Sequence, residues 1–456
     1  MDIEEYISRN YNGSKTWFCE EVKQSYNLNR ISKVVSNKNY LAGKHKILRK
    51  PDIQFKGEEY ETKKLIIQEA KTILNFHSTY LLGKPLSLTG SENKVKEYQN
   101  IYRRADYNEI DFDIIDSIGK YGDAYEYVYL DKGKNICSKL IDSADAYPVY
   151  SNNNEYIALI EHWTSTYKNI DSNIEYFTIY YTDRVEQWNN QSGNLILISS
   201  SNNLSGLPIH YHNKNDIDDN FGVSLLGDII PILDEIEDLL SKLGDSIYTL
   251  SLSPLPVLIG QQFLNDTIDK DAVGFGLNLG DGADMKYINA LMDYNTIKMY
   301  LDKIEQKLNM VAHMPSIVGG NSNVANVSEV SLKLLYQLAD VYSMIQEKYI
   351  RKGLRKRFNK IDKLLELKGM MFNDNDYVSV QFNYSRPVNN EDLLQQLKIQ
   401  YDMGAISRTS IIERSPVIVD TTQELNRLKE EDTNNSGSKD DNVQVNRNNL
   451  DGKIVN

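Results

Sequence analysis

Much of what marks an enzyme, a membrane protein or a secreted module is missing from this chain. Its 456 residues hold two cysteines, Cys19 and Cys137. Thiols so far apart give neither a disulfide framework nor the paired spacing of a zinc site. No apolar run approaches the roughly 18–20 residues that a membrane span needs. The opening MDIEE is acidic and polar, which predicts no secretory signal. With thiols this sparse, a cytosolic or intracellular-assembly setting is expected. Positive charge is in deficit: 51 Lys and Arg stand against 64 Asp and Glu, a net charge of −13. Tight nucleic-acid binders are usually basic because they must neutralise phosphates, so a sequence-specific DNA binder is disfavoured. An acidic surface past which DNA slides without sticking is compatible with that charge.

Catalytic signatures are equally scarce. A phosphate-binding loop needs Gly-Lys followed by Ser or Thr. Gly43-Lys44, Gly83-Lys84, Gly119-Lys120, Gly133-Lys134 and Gly452-Lys453 are followed by His, Pro, Tyr, Asn and Ile. Gly274-Phe275-Gly276 with Gly280 misses the dinucleotide fingerprint by one residue and lacks its strand–helix frame, so it reads as a turn. His210 and His212 share a face if extended, but no further ligands lie nearby; they are expected to be surface histidines at a strand end. His162 reads as structural. Asp216, Asp218 and Asn220 hint at a calcium loop, yet its glycine is misplaced and Gly227 stands where a bidentate Glu belongs. No catalytic residue, cofactor or metal site is predicted.

What the chain does have is a pair of heptad seams. The first is Ile229, Leu233, Ile236, Leu240, Leu243, Ile247 and Leu250; the second is Ile297, Leu301, Ile304, Leu308 and Val311. Steps of three and four put one narrow apolar stripe on each helix, which suits helix-on-helix packing. Between them, 251–293 holds Pro254, Pro256 and five glycines and cannot continue either helix. Two paired helices with a small module at their far end make a stalk, and a stalk points to assembly.

Around it the pattern is α+β. Residues 1–50 are polar with scattered Tyr and Lys. Helices are expected at 60–82, stopped by Gly83-Lys84-Pro85, and at 91–105 and 108–120. From Asp123 the period becomes two: strands at 124–130 and 136–141 flank the turn Asp131-Lys132-Gly133-Lys134, with further strands at 156–162, 176–181, 184–188 and 195–199 in a meandering antiparallel sheet. After Met314-Pro315, the stretch 316–326 is a loop of small residues. A long helix over 329–368 follows, which Gly353 interrupts as a bend. Its middle is basic: Lys348, Arg351, Lys352, Arg355, Lys356, Arg357, Lys360 and Lys363. That run is either a solvated helix face or a set of contacts to neighbouring subunits or DNA phosphates. A strand at 376–384, helices at 390–402, 407–413 and 421–431, and a disordered tail at 433–456 complete the reading.

Several stretches in this order resemble the portal proteins of tailed bacteriophages, the family typified by long-tailed phages of Gram-positive hosts. They are Leu81-Leu82-Gly83-Lys84-Pro85; Lys120-Tyr121-Gly122-Asp123-Ala124-Tyr125-Glu126 with Ile141-Asp142 and Tyr147-Pro148-Val149-Tyr150; and Gly404-Ala405-Ile406-Ser407-Arg408-Thr409 with Pro416, Asp420, Glu424-Leu425 and Leu428-Lys429-Glu430-Glu431. The resemblance spans about 30–432. It implies an N-terminal segment (1–30), an α/β wing (31–223), a two-helix stem (224–250 and 293–313), a small α/β clip (251–292), a tunnel loop (314–328), a long kinked tunnel helix with a strand returning to the wing (329–388), a helical crown (389–432) and a tail (433–456). It further implies a dodecameric ring in the virion at one capsid vertex, assembled in the host cytoplasm, that takes part in genome packaging and ejection. The implied partners are further copies of the chain, double-stranded DNA passing non-specifically, the terminase large subunit, head-completion or adaptor proteins, and major capsid and scaffolding proteins, with no membrane. The tunnel loop residues would be Val318, Gly319, Gly320, Asn321, Ser322, Asn323 and Val324. Lys348, Arg351, Lys352, Arg355 and Lys356 would face the channel or neighbouring subunits. Two other readings compete: a coiled-coil adaptor or scaffold without a DNA channel, and a metal-dependent nucleic-acid enzyme.

Overall fold

The computed structural model describes residues 2–55, 58–165, 173–247, 255–259, 281–288, 294–315, 329–387, 390–415, 417–418, 424–425 and 427–431. The chain divides into two units, Met1–Val318 with Gln337–Ser385, and Gly319–Tyr336 with Arg386–Asn456.

The first unit opens with three helices, α1 (Ile3–Tyr11), α2 (Phe18–Glu21) and α3 (Ser25–Leu41), where the sequence reads only as polar. Their apolar residues are few but well spaced. Ile3, Tyr6, Ile7 and Tyr11 lie on one face of α1 and close over Trp17 and Phe18. A 3₁₀ turn (Lys46–Arg49) and a short pair, β1 (Ile53–Phe55) and β2 (Glu58–Tyr60), precede α4 (Glu69–Leu82). The helix expected from residue 60 therefore begins nine residues later; it does end at Gly83. Next come β3 (Ser87–Gly90), α5 (Glu92–Arg104) and α6 (Tyr107–Tyr121).

Eight strands follow: β4 (Asp123–Leu130), β5 (Ile136–Ile141), β6 (Ala146–Tyr150), β7 (Tyr156–Ser165), β8 (Ile174–Tyr180), β9 (Arg184–Asn189), β10 (Ile196–Asn202) and β11 (Ile209–His212). They form two antiparallel sheets rather than one, in the orders β10-β9-β8-β7-β6 and β11-β4-β5. Alternation along β4 shows why. Ala124 and Val128 enter a core with α5 and α6, while Tyr125 faces Leu159, Tyr180 and Val185 of the other sheet. The far side of the five-stranded sheet, through Val149, Ile160, Phe177 and Ile179, is covered by α1 and α2. The result is layered as helices, sheet, sheet, helices.

The rest of this unit is α7 (Leu226–Ser246), the antiparallel pair β12 (Leu255–Ile259) and β13 (Asp284–Ile288), and α8 (Tyr294–Val311). Then, after α9 (Glu329–Leu335) of the second unit, come α10 (Gln337–Leu367) and β14 (Val378–Gln381), which pairs with β3. The single helix expected over 329–368 is thus two, separated at Tyr336. It is not interrupted at Gly353, where α10 runs straight through. That glycine answers a different need: a Cβ there would lie 2.2 Å from the Tyr211 ring. Ile350, Leu354, Phe358, Ile361, Leu364 and Leu365 seat α10 in the core.

In the second unit, α9 is joined by α11 (Asn390–Asp402) and α12 (Arg408–Arg414), the latter capped by Ser407 accepting from the Ser410 N–H at 3.2 Å. The tail at 433–456 lies outside the described residues. No described helix is long and apolar enough to cross a membrane.

Candidate functional site

The two heptad seams meet at one end of α7 and α8. Ile229, Leu233 and Ile236 of α7 and Leu308 of α8 are buried, in one cluster with Ala70, Ile73 and Leu74 of α4, and with Ala312, Met314 and Tyr342. Burying each such aliphatic side chain contributes about 1.5–3 kcal/mol. Further out the seam loosens. Leu240, Leu243, Ile297, Leu301 and Ile304 are half-buried, and Ile247 is 49% exposed. The opposite face of α8 carries exposed Met299 and Met310. Leu250 is outside the described residues.

One flank of α7 is held by an extended strap from the N-terminal region. The backbone N–H groups of Lys63, Leu65 and Ile67 donate to Asp245 (3.0 Å), Ser241 (3.0 Å) and Glu237 (2.7 Å). Two residues of extended chain rise about 6.6 Å and four residues of helix about 6.0 Å, so the two registers match. His45 Nδ1 lies 2.6 Å from the same Glu237 carboxylate, with its ring stacked on Tyr40, and Lys50 reaches Asp238 at 2.9 Å.

At the end of α8 the chain turns toward 316–328. His77 Nε2 donates to the Ala312 carbonyl at 2.7 Å, and the rings of His77 and His313 both pack on Tyr342 of α10. Burial holds the His77 imidazole down to about 4, so it is neutral at physiological pH. Val318, Gly319, Gly320, Asn321, Ser322, Asn323 and Val324 lie outside the described residues.

The basic run on α10 separates by face. Lys348, Lys352, Arg355 and Lys356 are exposed, the first three at helical spacing on one stripe. Arg351 is half-buried, donating to Glu347 (2.7 Å) and to the Val380 carbonyl (2.6 Å). Arg357 is fully buried. Its guanidinium pairs with Asp111 and, at 2.9 Å, with Glu126, which also accepts from Tyr211 and Ser138 at 2.6 Å each. Sequence reading grouped Arg357 with the whole basic run, as solvated face or as contacts to subunits or DNA; only the inward half of the helical period marks it out. Burial raises the Asp111 carboxyl to about 6 against the pull of Arg357.

His210 is a second correction. It is buried rather than at the surface, with Nε2 2.9 Å from Asp123 and Nδ1 2.8 Å from the Tyr150 hydroxyl. Among the described residues no group of His, Cys, Asp and Glu is arranged to hold a metal.

The arrangement is a braced pair of helices, α7 and α8, on a layered α+β body, with its polar clusters serving as internal ties. Comparison with known proteins gives the following similarities. The portal protein of Bacillus phage SPP1 is 21% identical over 392 residues, covering 79% of this chain and 74% of that one. Among solved structures, the neck of an empty gene transfer agent particle is 12% identical with a TM-score of 0.46, covering 75% of this chain and 87% of that one. The virion of a native gene transfer agent is 12% identical with a TM-score of 0.42 over the same shares. The family described as "Phage portal protein, SPP1 Gp6-like" matches residues 21–438. With nearly the whole chain matched, this protein belongs to that portal family.

Proposed function

We propose that this chain is the subunit of a twelve-membered portal ring at one capsid vertex, the channel through which double-stranded DNA is packaged and ejected. On this reading the ring docks the terminase large subunit during packaging and head-completion or adaptor proteins afterwards, and it contacts the major capsid and scaffolding proteins. The observation that carries the proposal is the family match from residue 21 to 438. The stem supports it: Ile247, Met299 and Met310 are exposed on a lone chain, and neighbouring copies would cover them. The net charge of −13 supports a wall that DNA slides past rather than adheres to. The uncharged loop 318–324 has no cation with which to grip phosphate.

Deleting 319–323 in a phage that carries this protein tests the channel. Capsids should incorporate the variant at normal levels and hold less DNA. Normal DNA content would contradict a tunnel role for the loop.

A further inference from the structure

β10 is the outer strand of the five-stranded sheet. It pairs with β9 from Ile196↔Asn189 to Asn202↔Arg184, and no described residue pairs with its other side. All seven of its residues are exposed, including three consecutive aliphatics, Ile196 (43%), Leu197 (47%) and Ile198 (53%). An open strand edge presents a row of unpaired N–H and C=O groups, and sheets normally guard such edges with lysine, proline or inward-pointing charge. The register shift between Leu197 and Ser199 is one such device, but charge is missing altogether. From 187 to 213 the chain has no Asp, Glu, Lys or Arg, although a quarter of its residues are charged. By contrast β6, the opposite edge, is mostly buried.

A second feature adjoins the strand. An open groove of about 470 Å³ lies at its C-terminal end, lined by Tyr127, Tyr129, Lys139, Thr178, Tyr180 and Leu204 among others; the Lys139 ammonium is already paired with Glu161 at 2.7 Å. Tyr127 packs against both Tyr129 (5.9 Å between ring centroids) and Tyr180 (4.7 Å). A bare strand edge beside an aromatic groove is the pairing used in strand addition, where backbone hydrogen bonds supply affinity and a pocket selects a side chain.

We infer that β10 is a docking edge for an extended, uncharged segment of another protein of the particle, which adds as a sixth strand and seats an apolar side chain in the groove. The partner's chemistry follows from the edge: extended backbone to complete the ladder, and no charge to desolvate against a neutral strand. A second copy of this chain is the weaker occupant. β10 against β10 is a two-fold contact that closes at two copies and does not continue round a ring. The inference rests on the portal reading for its partner, since it places that partner in the same particle.

The test is hydrogen–deuterium exchange of the full chain, measured in the purified protein and again in intact particles. A photo-crosslinking residue at Ser200 identifies the neighbour. The amides of 196–202 should exchange at least ~10-fold more slowly in the particle, with crosslinks to a different protein. Ser200→Lys, at an exposed site, should leave exchange elsewhere in the purified protein unchanged and abolish the protection in the particle. Equal rates in both settings would overturn the inference while leaving the portal reading intact. So would crosslinks to another copy of this chain. Particles that lack the chain would remove the portal reading and, with it, the partner named here.

Discussion

Arg357 and Glu126 meet at 2.9 Å with both side chains fully buried, 231 positions apart in the chain. The contact ties α10 to the inward face of β4, and Asp111 of α6 closes it from the other side. A buried ion pair adds little over a well-packed apolar substitute, but removing one partner strands the other in a low-dielectric core. Arg357→Met should therefore cost ~3–5 kcal/mol of unfolding free energy. Arg355→Met, two residues away and exposed, should change it by less than ~0.5 kcal/mol. Denaturant unfolding of both variants checks this; similar losses would contradict the network.

Gly353 makes a sharper steric prediction. Alanine is ordinarily the better helix former by about 1 kcal/mol. Here its methyl would meet the Tyr211 ring, so Gly353→Ala should destabilise by ~1–3 kcal/mol. A gain in thermal stability would show that the α10–β11 approach is looser than described.

The paired helices α7 and α8 allow folding and assembly to be tested separately. Leu233→Ala, at the buried base, should cost ~2–5 kcal/mol in the folded subunit. Ile247→Asp, at the exposed far end, should leave subunit unfolding nearly unchanged and weaken oligomers. Denaturation and size-exclusion light scattering of the two variants separate these effects. An Ile247→Asp subunit that assembles like the natural protein would count against neighbours covering that end.

The strap along α7 should be sensitive at Ser241. Ser241→Ala removes the acceptor of the part-buried Leu65 N–H and should cost ~0.5–1.5 kcal/mol. Faster proteolysis within 60–68 is the local readout; an unchanged cleavage pattern would argue against the strap's bracing role.

His77 carries a pH dependence. Its imidazole titrates near 4 in the fold against an ordinary 6.5, so between those values the unfolded chain binds more protons and stability falls as pH drops. The full effect is worth up to ~3 kcal/mol. Asp111, raised to about 6 from 3.8, works with the opposite sign, gaining stability as pH falls through that window. The difference between the natural protein and His77→Gln isolates the histidine. That difference should shift against the natural protein from pH 6.5 to 4, and a flat difference would contradict the burial of His77.

The hairpin from Asp123 to Ile141 was readable to within a residue because strict alternation and an Asp-Lys-Gly-Lys turn act locally. The heptads likewise located the helices α7 and α8, and α11 fell on its expected bounds. Elsewhere the decisive partners are remote. Near residue 357 only the helical period of Leu354, Phe358 and Ile361 signals that Arg357 turns inward while Arg355 does not; its partners Asp111 and Glu126 lie more than 200 positions away. The first helices hid for another reason: Tyr6, Tyr11 and Trp17 carry their apolar surface, and a polar composition masks it. His210 was misplaced because β11 pairs back onto β4 across the whole meander. The split of the meander into two sheets follows from that same return.

The most direct test of the ring is the particle mass and electron-microscope image of the purified full chain. Twelve copies of a 52.4 kDa subunit should give a closed ring on the order of 0.6 MDa with a central hole wide enough for a DNA duplex. A well-folded protein that stays monomeric at high concentration would contradict the account.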